Sequence, residues 1–484
     1  MSISFYSTNN KSIRVNFETA LLAGLAPDFG LYMVAREEVP VLQKSKILSM
    51  EKMSYAEIAF EVLNPFLSSE IPSPELKTLL DDAYRDDKIR TKIQNVYDGV
   101  YIMWLSNGPT YSFKDYAARF FARALNYFLG KRGLKRTVVV ATSGDTGGAV
   151  ADALLGLGNV ENIVFFPKGS VSDGQRRQMT TLGQNIYAFE VNGDFDVCQS
   201  LAKSLLNDKE FAQKTFGDKD RLTSANSISV GRLLPQAVYP FFAYSRIAKN
   251  GEGLVASIPS GNFGDMMGTV IAKQMGLPIS KIVCGVNANK EFPDFLATGI
   301  YKVYPSVKSP SSAMIVSHPS NLARLIDFYG GHMYDERDPV TKKVIREGVI
   351  DKMPDMNAMC KDIFSVSIDN PQHYRTMSEV YEKYKVILDP HGAVGWRALE
   401  LMPRADKGAI EVIYETADPG KFPDDVRSAI SITPPLPEGM KKQAKAKERI
   451  YSITSPPFKT ADGIKLSDEQ VAEAKEKIAN IFKL

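Results

Sequence analysis

The sequence predicts an α/β fold of two open, mostly parallel domains preceded by an N-terminal region that is largely helical. Two observations carry this reading. The first is a pair of strand, Gly-rich loop and helix units: Thr137–Thr142 (TVVVAT) leads through TSGDTGG into a helix over Gly147–Gly156, and Leu254–Ile258 (LVASI) leads through PSGNFGD into a helix over Met266–Met275. Short β-branched runs read as strands, and apolar residues at helical spacing read as amphipathic helices. The second is the alternation from Gly99 to about Leu206, where apolar strand-like runs and helical patterns take turns, as parallel sheets require.

Taken in order, residues 1–98 form the N-terminal region, whose loop-rich segment Leu22–Tyr32 has no role legible from pattern. Residues 99–215 form the first, smaller α/β domain. It opens with the apolar stretch Val100–Leu105, followed by a helix over Phe113–Leu129 closed by Gly130. The first loop unit then leads to strands at Asn162–Pro167 and Asn185–Val191, with Asp194 capping the next helix. Residues 216–484 form the large domain, with the second loop unit and a strand at Lys281–Val286. An insertion falls near 300–385, containing the irregular Pro- and Ser-rich stretch Pro305–Pro319, and the last strong strand is Ala409–Thr416. The tail KKQAKAKER, Lys441–Arg449, reads as a solvated, charged helical face.

Composition narrows the class. A chain of 484 residues with 44% apolar and 24% charged side chains can bury a large core. Its net charge of +3 comes from 59 basic and 56 acidic residues without single-sign blocks, which gives no reason to expect nucleic acid. No apolar run is long enough to span a membrane and the first residues lack a signal-peptide pattern, so a cytoplasmic enzyme is expected. Cys198, Cys284 and Cys360 are too far apart to suggest a disulfide framework. The four histidines have no ligand spacing, so no metal is expected.

The chemistry lies in the two loops and one lysine. A glycine loop opening a helix offers backbone N–H groups and the positive end of the helix dipole to an anion. Lys114 starts the helix whose stripe Phe113, Ala117, Phe120, Ala124 and Phe128 is apolar. Most lysines are surface charges, but one kept partly neutral by desolvation can form a Schiff base with a carbonyl. An aldehyde cofactor carrying a phosphate, pyridoxal 5'-phosphate, would use the lysine for its carbonyl and one loop for its phosphate, leaving the other loop for a substrate carboxylate. Close approach of backbone to an anion, with φ > 0, is expected at Gly264.

SFKDYAARF, ATSGDTGGAVA, SANSISVGRLLPQ, SIPSGNFGD and ETADPGKFP occur in the order and approximate spacing of the threonine synthases, fold-type-II pyridoxal-phosphate enzymes of the tryptophan-synthase β family. FYSTNN and FETALLAGLAPDFGLY resemble that family's opening, so the resemblance spans nearly the whole chain. It implies conversion of O-phospho-L-homoserine and water to L-threonine and phosphate. It further implies that Lys114 holds the cofactor and moves protons at the substrate's α and β carbons. Gly261, Asn262, Phe263, Gly264 and Asp265 would cradle the cofactor phosphate, and Thr416 would face the pyridine nitrogen. Ser143, Asp145 and Thr146 would take the substrate carboxylate. Asn226, Ser227 and Arg232 would take the substrate's own phosphate, for which a guanidinium fork is well shaped.

The sequence departs from the family at three positions. Ser229 stands where asparagine is common, Asp418 where histidine often precedes proline, and Ile315 where aspartate often follows an Ala-Met pair. A related β-family lyase, such as a threonine or serine dehydratase, would share the lysine and both loops but lack the combination of FKD, SGDTG and Asn-Ser…Arg. A non-catalytic relative that binds a phospho-ligand would have no use for Lys114. Monomer and homodimer both remain open.

Overall fold

The computed structural model describes residues 3–225, 228–403, 408–460 and 463–482. Contacts divide the chain into two compact units built from non-contiguous segments, whereas the sequence suggests contiguous ones. The first unit comprises residues 1–21, 25–117 and 227–435, and the second residues 22–24, 118–226 and 436–484.

A six-stranded sheet forms the centre of the first unit. Its order is Ile363–Ser367, Ile279–Val286, Leu254–Pro259, Ile410–Glu415, Val100–Trp104 and Lys92–Tyr97. Every neighbouring pair is parallel except the last, which is antiparallel at the edge. The inner strands are apolar on both faces and wholly buried along Leu254–Pro259, as a covered parallel sheet demands. Helix Pro390–Leu401 lies against this sheet, donating Ala393 and Trp396 to a core with Val100, Ile102, Val255, Val283 and Ile413. The N-terminal region adds four helices, as expected, together with a small antiparallel sheet of Phe5–Ser7, Arg14–Val15 and Tyr32–Val34. The stretch 305–319 is irregular apart from the short turn Ser312–Met314.

The second unit carries a five-stranded, all-parallel sheet in the order Tyr451–Ile453, Ile186–Val191, Val160–Pro167, Arg136–Ala141 and Leu222–Ser224. Its core gathers Val139, Ile163, Phe165, Phe189, Leu201 and Leu205 with Ile453, Ala474 and Ile478 from the end of the chain. The Asp194 carboxylate caps Phe195–Asn207 by accepting the Val197 N–H at 2.9 Å.

Two expectations are corrected here. The helix that begins at Lys114 runs to Arg132, through Gly130; the left-handed residue that ends it is Gly133, with φ of 62°. A single exposed glycine does not stop a helix when its neighbours stay packed, and Leu125, Phe128 and Leu129 are all buried. The tail is helical only over Glu438–Ala444, and Arg449 instead donates its backbone N–H to the Thr180 carbonyl at 2.7 Å. There Glu448 accepts from Arg176 at 2.8 and 3.0 Å. Basic periodicity alone could not show this docking.

Helix Gly264–Gln274 sits tightly on the turn Leu234–Ala237. A Cβ at Gly268 would lie 2.6 Å from the Gln236 carbonyl carbon and 2.9 Å from the Ala237 nitrogen. Backbone cannot yield as a flexible side chain would, so Gly268→Ala is expected to cost about 1–3 kcal/mol despite alanine's better helix propensity. Thermal denaturation of the variant checks this: an unchanged or raised Tm would show that the helix can ride outward freely.

Candidate active site

The site in the first unit is built where the sheet's central strands end. After strand Val100–Trp104 the chain loops and returns along the end of Ile410–Glu415. The Phe113 N–H donates to the Thr416 carbonyl at 2.9 Å, the Asp418 N–H donates to the Tyr111 carbonyl at 3.1 Å, and Ser112 bridges Ala417. Lys114 therefore starts its helix one residue from Thr416's backbone partner. Asp115, buried, holds the turn by accepting from the Thr110 N–H at 2.8 Å and the Thr110 hydroxyl at 2.5 Å. The Lys114 ammonium lies 5.2 Å from the centre of the Phe113 ring and is half-buried.

Beneath the first turn lies a nest of buried aromatic rings. Tyr116 contacts Tyr55 at 5.1 Å and Tyr239 at 5.5 Å between ring centres, and Tyr239 contacts Tyr414 at 6.4 Å. The Tyr239 hydroxyl donates to the Phe113 carbonyl at 3.2 Å. This gives the N-terminal region a role its pattern did not reveal, because Tyr55 and Tyr84 buttress the residues that follow Lys114.

The glycine loop Gly261–Asp265 leads into helix Gly264–Gln274, whose N-cap Phe263 supplies no side-chain acceptor. Unusually for a phenylalanine, Phe263 is left-handed, with φ 60° and ψ 23°. The expectation of positive φ at Gly264 is thus corrected. Positive φ falls on Phe263, and Gly264 is required by crowding, since a Cβ there would lie 2.8 Å from Gln236 Nε2. At Gly261 a Cβ would stand 3.0 Å from both the Ala313 carbonyl oxygen and the Met314 Cα. Asn262 is held from both ends: its side-chain oxygen accepts from the Ser320 hydroxyl at 3.0 Å, and its carbonyl accepts from Asn321 Nδ2 at 2.9 Å. Sequence reasoning missed Gln236, Ser320 and Asn321. The spacing of Gly264 and Gly268 on one helix face was a signal for the first, but no local pattern announced the other two.

Asp265 is buried at the start of that helix, and desolvation pushes its carboxyl up to about 7, opposed by the Met266 N–H it accepts at 2.9 Å and by the charge of Lys114. Arg232 is also buried, and loss of water pulls its guanidinium down to about 10, which leaves it cationic at neutral pH. Burial also acts on two hydroxyls on this side. Tyr239 is held well above its ordinary value by burial, and the Ser229 hydroxyl is buried with no hydrogen-bond partner among the described residues. Ser229 begins the short helix Val230–Leu233 that carries Arg232. Asn226 and Ser227 lie outside the described residues. Of the other two family departures, Asp418 caps a turn by accepting from the Gly420 N–H at 2.8 Å. Ile315 follows the turn Ser312–Met314, where the Ala313 N–H donates to His391 Nε2 at 3.2 Å.

Ser143, Asp145 and Thr146 belong to the second unit. Their loop is partly self-satisfied, because the Thr142 hydroxyl accepts the N–H groups of both Gly144 and Gly147 at 2.9 Å. The sequence reading treated those donors as open. Ser143 is exposed and Thr146 half-buried, whereas Asp145 is buried and accepts from Gln175 Nε2 at 2.9 Å.

These residues suit pyridoxal phosphate: a half-buried lysine, a helix start with no side-chain cap, and glycines whose missing Cβ atoms leave room for backbone to face an anion. The fold and site define a fold-type-II pyridoxal-phosphate-dependent enzyme. Residues 92–349 match the model of the pyridoxal-phosphate dependent enzymes, residues 4–84 that of the threonine synthase N terminus, and residues 392–459 that of the threonine synthase C-terminal part. A threonine synthase of Pseudomonas aeruginosa is 34% identical over 92% of this chain and 94% of that protein. The crystal structure of pyridoxal-phosphate-bound threonine synthase from Brucella melitensis superposes with a TM-score of 0.87 at 30% identity, covering 100% of both chains. The yeast enzyme's structure gives 0.85 at 29% identity over 99% of each chain. The chain belongs to the threonine synthase family. It is a pyridoxal-phosphate-dependent lyase that acts on a small-molecule substrate, and among the described residues no helix is long and apolar enough to cross a membrane.

Asp265 generates a pH prediction. Its folded-state value lies above the ordinary 3.8, so the stability it contributes is complete below pH 4 and is lost as pH rises through about 7. Asp265→Asn, which cannot ionise, should gain stability relative to the parent between pH 5 and pH 8, by up to about 3 kcal/mol. Parallel melts of the two cofactor-free proteins test this, and an equal difference at both pH values would refute the buried titration.

Proposed function

We propose that this chain converts O-phospho-L-homoserine and water to L-threonine and inorganic phosphate, with Lys114 as its catalytic residue. The observation that carries the proposal is the convergence, in one unit, of Lys114, the Gly261–Asp265 helix start and the buried cation Arg232, tied together by Tyr239. Its hydroxyl donates to the Phe113 carbonyl, and Asp265 and Arg232 act on it with opposite sign, after the larger effect of burial. The family membership of the chain supports the same substrate.

In this reading the backbone of Gly261, Asn262, Phe263 and Gly264, with Asp265, holds the cofactor phosphate. The Thr416 hydroxyl would partner the pyridine nitrogen. When bound, pyridoxal phosphate supplies the carbonyl that Lys114 bonds and the conjugated ring that accepts electron density as carbon–hydrogen bonds break. The Lys114 amine would take the α-proton and then one β-proton. Arg232 and Ser229, with Asn226 and Ser227, hold the γ-phosphate, so that when the Cγ–O bond breaks the charge on the departing oxygen meets a desolvated guanidinium. Cγ gains a proton, the oxygen of water joins Cβ while its released proton goes to the departed phosphate, and Cα regains the proton that Lys114 had taken. The family resemblance assigns the substrate carboxylate to Ser143, Asp145 and Thr146. The free cysteines Cys198, Cys284 and Cys360 fit a reducing cytoplasm.

Assaying the purified protein for threonine and phosphate from O-phosphohomoserine tests the activity directly, and absence of both products with cofactor-saturated protein would refute it. Borohydride should fix the cofactor covalently on Lys114, and an adduct mapped to another lysine would move the site. Lys114→Ala should retain cofactor through the glycine loop while turnover falls by several orders of magnitude.

Arg232→Leu should keep the yellow colour but lose roughly ten- to a hundred-fold in kcat/KM, with lysine at that position restoring only part. A variant that instead sheds cofactor, while its residual holoenzyme turns over normally, would place Arg232 at the cofactor.

A further inference from the structure

Arg324, on helix Leu322–Phe328, is fully buried, and its guanidinium spends its hydrogen bonds on neutral oxygens. Nε and Nη2 donate to the Tyr32 carbonyl at 3.0 and 2.8 Å, Nη2 also to the Ile228 carbonyl at 2.6 Å, and Nη1 to Asn321 Oδ1 at 2.6 Å. No carboxylate pairs with it among the described residues, and desolvation alone pulls it down to about 9, so it is charged at neutral pH. A buried, unneutralised cation costs several kcal/mol unless something compensates for it, and replacement by an apolar side chain would ordinarily be favourable. Its retention needs a reason.

The three segments it joins supply one. Through Asn321, whose Nδ2 and backbone N–H both donate to the Asn262 carbonyl at 2.9 and 3.2 Å, it reaches the glycine loop. Through Ile228 it reaches the strand-to-helix turn four residues before Arg232. Through Tyr32 it is anchored to the small N-terminal sheet. In a trans peptide the carbonyl and the following N–H point in opposite directions, and the described chain has no cis peptides. Drawing the Asn262 carbonyl toward Asn321 therefore turns the Phe263 N–H the other way, and drawing the Ile228 carbonyl toward Arg324 does the same to the Ser229 N–H. The positive φ of Phe263 is the backbone price of the first of these turns.

We propose that Arg324 is a positioning residue that aims the backbone donors of two anion subsites at once, the glycine loop at Gly261–Asp265 and the segment leading to Arg232, while its charge offsets the anions they hold. This rests on the proposed placement of the two phosphates. It acts through carbonyls and Asn321, not by touching either ligand. The polarised Asn321 amide passes part of the effect to the loop, since hydrogen bonds in series strengthen one another.

The test compares Arg324→Gln, Arg324→Lys and Asn321→Ala with the parent. Apo protein is titrated with pyridoxal phosphate at equilibrium, and holoenzyme is assayed for KM, kcat and inhibition by inorganic phosphate. Near-UV circular dichroism and melting report the fold. Arg324→Gln should weaken pyridoxal-phosphate binding about tenfold or more and raise both KM and the phosphate inhibition constant, with kcat at saturation changed less. Arg324→Lys should recover part of each loss, and Asn321→Ala should weaken cofactor binding with Arg324 intact. A folded Arg324→Gln that lowers Tm but binds pyridoxal phosphate and inorganic phosphate like the parent would reduce the residue to a structural cation and overturn the proposal. Should Arg324→Gln fail to fold, an unchanged cofactor affinity in Asn321→Ala would overturn it as well. Protein that binds cofactor but does not turn over phosphohomoserine would sink the proposed substrate, while the effect of Arg324 on cofactor affinity would stand or fall separately.

Discussion

The hydrogen bond from the Phe113 N–H to the Thr416 carbonyl fixes the geometry on which the site depends. Strands Val100–Trp104 and Ile410–Glu415 run in parallel, so they end together, and their continuing chains would diverge into separate loops. The return of residues 111–113 along residues 416–418 prevents that. It puts the start of a nineteen-residue helix, and hence Lys114, at the end of a central strand with Thr416 beside it. The Asp115 turn, the Tyr239 hydroxyl and the aromatic nest all act to hold this one junction. Side-chain chemistry at Lys114 would be ordinary without it.

The second theme is charge kept out of water. Asp265, Arg232, Arg324 and Glu415 are all buried in the first unit, and burial moves each toward its neutral form. Glu415, directly before Thr416, is pushed well above its usual range, first by desolvation and then by the nearby Asp389. Two arginines remain charged because their values, though lowered, stay above neutral pH. Buried cations of this kind prepare the site for anions, and such preparation lowers the reorganisation needed when phosphate arrives.

Much of this was legible in the sequence. The two strand, loop and helix units fell within two or three residues of their places because β-branched runs and helical spacing are local signals. Asp194 was readable as a cap for the same reason. The helix end was not: Gly130 looked like a stop, yet packing of Phe128 and Leu129 carried the helix on to Gly133. Local pattern also put positive φ at Gly264, where long-range crowding by Gln236 is the real constraint and Phe263 carries the strained backbone. The open donors expected in the TSGDTGG loop are partly taken by Thr142, whose hydroxyl can reach two N–H groups only in the folded turn. Arg324 was invisible because its partners are carbonyls 292 and 96 residues away in the chain, and backbone acceptors leave no mark in the sequence.

The edge strand Tyr451–Ile453, which pairs in parallel with Phe189–Val191, has a consequence for how the chain is made. That strand and helix Asp468–Phe482, whose Ala474 and Ile478 complete the core around Phe165 and Phe189, emerge from the ribosome only after residues 227–435 of the other unit. Residues 118–226 must wait through about 210 further residues for the rest of their unit. At bacterial to eukaryotic rates of synthesis that delay is on the order of 10–40 seconds, during which a parallel sheet stands with an unpaired edge and an uncovered apolar face. The nascent chain is therefore in greatest need of chaperone protection over residues 118–226, long after that segment's own residues have been joined.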